Sequence, residues 1–215
     1  MKQCLVTRPE HDDTTHYLSH WAKLCIDIAK SKGITVIDLW RDRANSKEVL
    51  NIVSKQKPSL ILLNGHGSES TVTGHKNEPL FVAGKNEELL RDKIVYALSC
   101  QSAKVLGKKS VESGTKAYIG YEDDFIFSYD PLMITRPTED ATAKLFFAPS
   151  NELVISLLKG HTAEESKERS QDMYKRSIRQ LLSSEASKDD VGMVRYLWWD
   201  MKNQVCLGDK DATFE

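Results

Sequence analysis

No stretch of this 215-residue chain approaches the roughly 18 consecutive apolar residues that a membrane-spanning helix needs. There is no basic excess either. Thirty Lys and Arg stand against 31 Asp and Glu, for a net charge of −1. A protein that holds nucleic acid by its phosphates carries a cationic face, so no nucleic-acid partner is expected, and no membrane. Cysteine is scarce, with Cys4, Cys25, Cys100 and Cys206 alone, and no two form a CxxC pair. They do not cluster with the six histidines in a metal-binding pattern. No cofactor and no metal is therefore expected, and in a reducing compartment the four are thiols. The N-terminal "MKQCLVTRPEHDD" holds a short apolar patch ended by Arg8 and Pro9, too short for a signal-peptide core. The expected compartment is the cytoplasm. There is no repeat, no low-complexity tract and no linker, so residues 1–215 read as one domain.

Hydrophobic residues at 40% and charged residues at 28% leave enough apolar surface for a sizeable core. The first half alternates two patterns. "CLVT", "ITVIDLW", "LILL", "IVYAL" and "AYIGY" are short continuous apolar runs, read as five strands. Between them lie amphipathic stretches. The first, from Thr14 to Gly33, carries Tyr17, Trp21, Leu24 and Ile28 at helical spacing, with Asp13 or Thr14 as its cap. Asn45 with Glu48 makes a capping box for a second helix that stops before Pro58. Residues 64–84 read as an irregular loop, "NEELLRDK" as a short helix, and "AKVLGKKSVESG" as another. The second half is more helical. "EDATAKLFFA" and "NELVISLLKG" read as two short helices, residues 162–184 as a longer one, "SSEASKDD" as a polar loop, and "VRYLWWDMKNQVCLGD" as a hairpin or strand pair. Continuous apolar strands alternating with helices imply an α/β fold, an open, mainly parallel sheet with helices on both faces.

Two of these strands end in reactive side chains. "LILLNGHG" stops at His66 and "IVYALSC" at Cys100. In an open parallel sheet ligands bind at the carboxyl ends of the strands, where these residues lie. A lone cysteine at a strand end is more often packing than chemistry, and a lone His-Gly is more often a turn. The conjunction changes that weighting. If the two strands are neighbours, an imidazole and a thiol meet at one rim, and a thiolate is the competent nucleophile. Gly65 and Gly67 flank the histidine and let a substrate approach the backbone. The amides of Gly67 and Cys100 could polarise a scissile carbonyl as an oxyanion hole.

In this pairing the chain resembles the caspase-like cysteine peptidases, the superfamily of caspases, metacaspases, legumains and gingipains. The likeness is nearest to the bacterial CHAT-domain and gingipain-type catalytic domains. "SVESGTKAYIGY", "EDATAKLFF…LLKGHTAEES" and "QVCLGDKDATF" extend it over most of the chain. The resemblance implies a Cys–His dyad, with His66 as general acid/base and Cys100 as the nucleophile that forms an acyl-enzyme. No third orienting residue is evident. It also implies a protein or peptide substrate, an activating partner protein or small ligand as regulator, and a homo-oligomer as one state open to it. Bacterial branches of the family occur in defence and cell-death systems. The Gln-Ala-Cys block of animal caspases is missing, so aspartate specificity is not implied.

By the same resemblance, the pocket for the residue before the cleaved bond draws on "RPEHDD" (8–13) and "YEDDF" (121–125). Asp12, Asp13, Tyr121 and Asp123 are the candidate substrate-binding residues, and their acidity points to cleavage after Arg or Lys. Two plainer readings stand beside this. Asp13 caps the first helix, and the second segment is a solvated loop. Arg8 offers a counter-reading, an acceptor for an acidic substrate residue. His75 and His161 are alternative bases, while His11, His16 and His20 have surface roles. Trp198 and Trp199 point to opposite faces of a strand, one of them available to a partner. The competing function is a non-catalytic caspase-like module that only binds protein.

Overall fold

A computed structural model describes residues 2–183 and 188–214 of the chain. Five strands match the apolar runs: β1 (Gln3–Arg8), β2 (Thr35–Trp40), β3 (Leu60–Asn64), β7 (Ile94–Leu98) and β8 (Ala117–Tyr121). All pair in parallel, in the order β2-β1-β3-β7-β8. A sixth strand, β9 (Gln204–Gly208), closes the far edge antiparallel to β8. The fold is α/β with a mainly parallel sheet, as expected, and is compatible with a caspase-like arrangement.

The strands are apolar without interruption because both faces are covered. Cys4, Val6, Leu60, Leu62, Tyr96, Ile119 and Tyr121 face one core, against α1 (Asp13–Ser31), α4 (Ala141–Leu158), α5 (Ala163–Leu181) and α6 (Lys188–Asn203). Their alternates Leu5, Ile61, Leu63, Val95, Ala97 and Tyr118 face a second core. There α2 (Ser46–Lys55) and the helical segment through Ala103 and Leu106 into α3 (Lys108–Glu112) lie over them. Some of the polar side chains that enter the cores tie elements together. Asp140 is fully buried, caps α4 through Thr142 and Ala143, and accepts from the Tyr17 hydroxyl at 2.8 Å.

The structure departs from the sequence expectations in several places, and Leu24, read on the apolar face of the first helix, is exposed. Residues 64–84 are not irregular. They hold β4 (Gly67–Ser68), β5 (Thr71–Thr73) and β6 (Pro79–Val82), a small antiparallel sheet that buries Val72, Leu80 and Phe81. Each strand is too short to show a period. The two short helices around Pro149 are one helix, α4. An interior proline costs about 3 kcal/mol, but Phe146, Phe147, Leu153 and Leu157 bury their side chains on either side of it. The expected hairpin from 194 onward is α6 followed by β9. Val194, Leu197 and Met201 pack at helical spacing, and this outweighs the strand preference of Val, Tyr and Trp. Trp198 and Trp199 are thus helical neighbours. Trp198 is exposed, and Trp199 donates to the Asp124 carbonyl at 3.0 Å. Finally, the capping box of α2 half forms. Asn45 accepts from the Glu48 amide, and Glu48 turns to Arg43. The expected polar loop 183–190 falls partly outside the described residues, and its last three begin α6.

Asp200 on α6 is buried, with one oxygen accepting from the Ile126 amide at 2.9 Å and the other unpartnered. Burial holds its carboxyl well above the usual aspartate range. Such an acid keeps its proton in the folded chain where the unfolded chain has released it, so its contribution to stability falls as pH rises above about 4. Asp200→Asn should therefore stabilise the protein by on the order of 1 kcal/mol at pH 7 and flatten that decline. Urea melts of both proteins from pH 4 to pH 8 measure this. Equal slopes would overturn it.

Candidate active site

Register decides what meets at the rim. Asn64 at the end of β3 pairs with Leu98 at the end of β7. His66 and Cys100 each lie two residues beyond that pair, on neighbouring strands. Asn64 is anchored from the other side. Its amide donates to Thr7 Oγ1 at 3.0 Å and its side chain to the Thr7 carbonyl at 2.8 Å, so β1 and β3 end together.

The glycines around His66 are required by crowding. A Cβ on Gly65 would collide with the Thr73 carbonyl of β5. A Cβ on Gly67 would collide with Ser99 Oγ and come within 2.8 Å of the Cys100 carbonyl. The backbones of Gly67 and Cys100, the two expected oxyanion donors, are therefore neighbours. The small sheet is what folds back over them. The Thr73 amide and hydroxyl both donate to the His66 carbonyl, at 2.9 and 3.0 Å.

His66 has a partner that the sequence did not reveal. Its Nε2 lies 2.7 Å from Asp12 Oδ2. Asp12, not Asp13 or Thr14, is the cap of α1, and its Oδ1 accepts from the Thr15 amide and hydroxyl, both at 2.8 Å. Burial works to raise the Asp12 carboxyl. The Thr15 and His66 hydrogen bonds outweigh it and hold the carboxyl below the usual aspartate range. Asp12 therefore orients His66 rather than lying free beneath a substrate side chain.

Cys100 is half-buried, and its thiol reaches the Phe125 carbonyl at 3.8 Å. Burial, with Asp124 and Asp200 nearby, pushes it up to about 11. Burial pushes Cys4 and Cys206 further, to about 12, and raises Cys25 as well. Burial raises all four thiols, and Cys100 the least.

Two clefts flank the Asp12–His66 pair. One, of about 410 Å³, is lined by Glu10, His11, Asp12, Asp13, His16, Ile134 and Thr135. The other, of about 370 Å³, is lined by His66, Gly67, Ser68, Thr71, Thr73 and Asn77. Asp13 is exposed in the first and accepts from the Tyr129 hydroxyl at 2.9 Å. Glu10 is committed elsewhere. It accepts from Trp40 at 2.6 Å and from Arg41, and lies 3.2 Å from His16. Burial opposes its charge, but these partners pull it down to about 2.

The other expected substrate contacts lie away from these two clefts. Tyr121 is fully buried in the core, accepting from Gln204 at 3.1 Å, because β8 turns that side chain inward. Asp123 lines neither cleft. Its carboxylate accepts from the Asp124 amide and its carbonyl from the Gln101 amide, so it ties the loop after β8 to the residue after the thiol. Arg8 is buried in a bidentate pair with Asp38, at 2.8 Å for both bonds, and is not open to a substrate acid. His75 accepts from the Glu10 amide at 3.4 Å, and burial, then His11 and Lys76, hold it below the usual histidine range. His161 pairs with Glu165 at the start of α5. His11 belongs to the site. Its ring lies edge-on to His66 and to His75, at 6.0 and 5.3 Å.

No protein-family model matches the chain, and no curated protein matches it significantly.

Asn caps a helix as well as Asp does. Asp12→Asn should therefore leave stability within about 0.5 kcal/mol of wild type, while Asp12→Ala should cost about 1 kcal/mol. Urea melts at pH 7 distinguish them. Equal destabilisation by both would mean that the charge opposite His66, and not the cap, carries the energy.

Proposed function

We propose that the chain is a caspase-like cysteine endopeptidase acting through His66 and Cys100. The observation that carries this reading is the shared position of the two residues, each two beyond a register pair of adjacent parallel strands. Asp12 strengthens it by supplying the third group that orients a base in such sites. In the proposed reaction, His66 takes the Cys100 proton as the thiolate sulfur bonds to the scissile carbonyl carbon. The carbon–nitrogen bond then breaks, and His66 returns the proton to the leaving amine. Water, deprotonated by His66, releases the acid and frees the thiol. The amides of Gly67 and Cys100 stabilise the oxyanion. Specificity for Arg or Lys rests on Asp13, an exposed acidic group of the neighbouring cleft bonded to the neutral Tyr129 hydroxyl. The substrate is a protein or peptide, the compartment the cytoplasm, and an activating partner fits a thiol that is half-buried at rest. Among the described residues, no helix is long and apolar enough to cross a membrane.

The same thiol favours a second reading, a binding module without catalysis. Cys100 is held up by burial and contacts a carbonyl, while His66 is bonded to Asp12.

Iodoacetamide should alkylate Cys100 before Cys4, Cys25 or Cys206, faster as pH rises. Wild type incubated with a proteome should generate new protein termini after Arg or Lys, none of them with Cys100→Ala. His66→Ala should lower kcat/KM at least about 100-fold, and Asp13→Ala should weaken selection of Arg. Uniform slow labelling of all four thiols, with no Cys100-dependent termini, would support the binding module. Termini after Asp or Leu would overturn the basic preference alone.

A further inference from the structure

The Asp12–His66 bond is part of a larger donor set. His11 Nε2 lies 3.6 Å from the Asp12 Oδ2 that His66 contacts. The three atoms, two imidazole nitrogens and a carboxylate oxygen, all lie within 4.8 Å of one another. Zinc bonds such atoms at about 2.0–2.2 Å in a tetrahedron, which sets them roughly 3.3 Å apart. The two spacings to Asp12 Oδ2, 3.6 and 2.7 Å, bracket that value. We propose that His11, Asp12 and His66 form a zinc site, and that an ion bound there withdraws His66 from any reaction at Cys100.

Three features of the surroundings favour a metal. First, the ligands are supported from behind. Asp12 keeps Oδ1 on Thr15 while Oδ2 faces the histidines, and Thr15 Oγ1 also accepts from the His11 amide at 2.9 Å. One threonine in the first turn of α1 thereby fixes both neighbours, as outer-shell partners do around metals. Second, the set faces solvent, with the His66 and Asp12 side chains 37% and 39% exposed, so an ion can enter and a fourth position stays open. Asn77 Oδ1, 3.3 Å from His11 Nε2, offers an oxygen there. Third, two imidazoles with one carboxylate suit zinc better than calcium or magnesium, which prefer oxygen. A nearby trio, Glu10, His16 and His20, has the same kinds of donor, but two of its members are already held by other groups. Glu10 is held by Trp40 and Arg41, and His16 Nε2 by the Ile134 carbonyl at 2.9 Å.

The binding claim stands on this geometry, and only its inhibitory consequence rests on the peptidase reading. A metal bond to Nε2 leaves the ring's one proton on Nδ1 and pins the ring on the Asp12 side. The ring is then lost as a base for the thiol.

Calorimetric titration of the full chain with zinc chloride, and visible absorption with Co2+ as a spectroscopic stand-in, test the site. One ion per chain is expected. His11→Ala and His66→Ala should each weaken binding at least tenfold, as should His11→Gln, which keeps a polar side chain if the alanine variant misfolds. Cys100→Ala and His161→Ala should bind like wild type. Equal binding by all variants, no binding by wild type, or loss of binding in Cys100→Ala would overturn the site. Where peptide cleavage is measured, zinc at one equivalent should stop wild type and a chelator should restore it. The turnover of His11→Ala, whatever its level, should resist the same zinc. Zinc that binds as described but leaves turnover unchanged would overturn the inhibition and keep the site. Absence of turnover under every condition would count against the peptidase reading, with the binding data still deciding the site.

Discussion

The parallel pairing of β1, β3 and β7 is the constraint on which the rest depends. Parallel strands must be joined by crossovers, and those crossovers become the helices and the small sheet that cover both faces. The same pairing sends the parallel strands out at one rim. The register Asn64 to Leu98 then sets two loops side by side with no further choice to make. A slip of one residue in β7 would exchange Tyr96 and Ala97 between the two cores, so the fit of unequal side chains holds the alignment at the site.

Around that rim, charged side chains serve geometry before chemistry. Arg8 and Asp38 bind β1 to β2 where a substrate acceptor was conceivable. Glu10 gathers Trp40, Arg41 and His16 and so holds the loop that leads to α1. Asp12 does two jobs with two oxygens. One caps the helix and the other meets His66. A carboxylate at a helix N-terminus sits against oriented amides, which favour its charge. That charge is then available to the imidazole. The first loop, the third strand and the first helix are joined at this one residue.

The sequence was most legible where burial forces a pattern over five or more residues. The five apolar runs became strands, and Cys25 and Tyr17 sit on the buried face of α1 as their spacing required. It was least legible where a short element borrows its stability from elsewhere. The strands β4 to β6 hold two to four residues each and exist because Val72, Leu80 and Phe81 close a core already built by β3 and α2. Two short helices were read where α4 runs through Pro149, because the packing of its neighbours outweighs the proline. Tyr121 ends its strand facing the core, while Asp123 lies in the loop beyond. Polarity does not say which way a strand end faces. His11 was passed over as a surface residue, since nothing local marks a side chain whose partner is 55 positions away.

The sequence by itself determined the fold class, the parallel core and the two strand ends that carry an imidazole and a thiol. These follow from local periodicity, because an amphipathic or fully buried segment announces itself within a few residues. Only the tertiary structure decided what each reactive group touches. It put His66 on Asp12, Cys100 on the Phe125 carbonyl, and His11 beside both members of the first pair. Such contacts join residues far apart in the chain. They depend on register, on which residue caps α1, and on the fold-back of the small sheet, and no window of sequence contains all three.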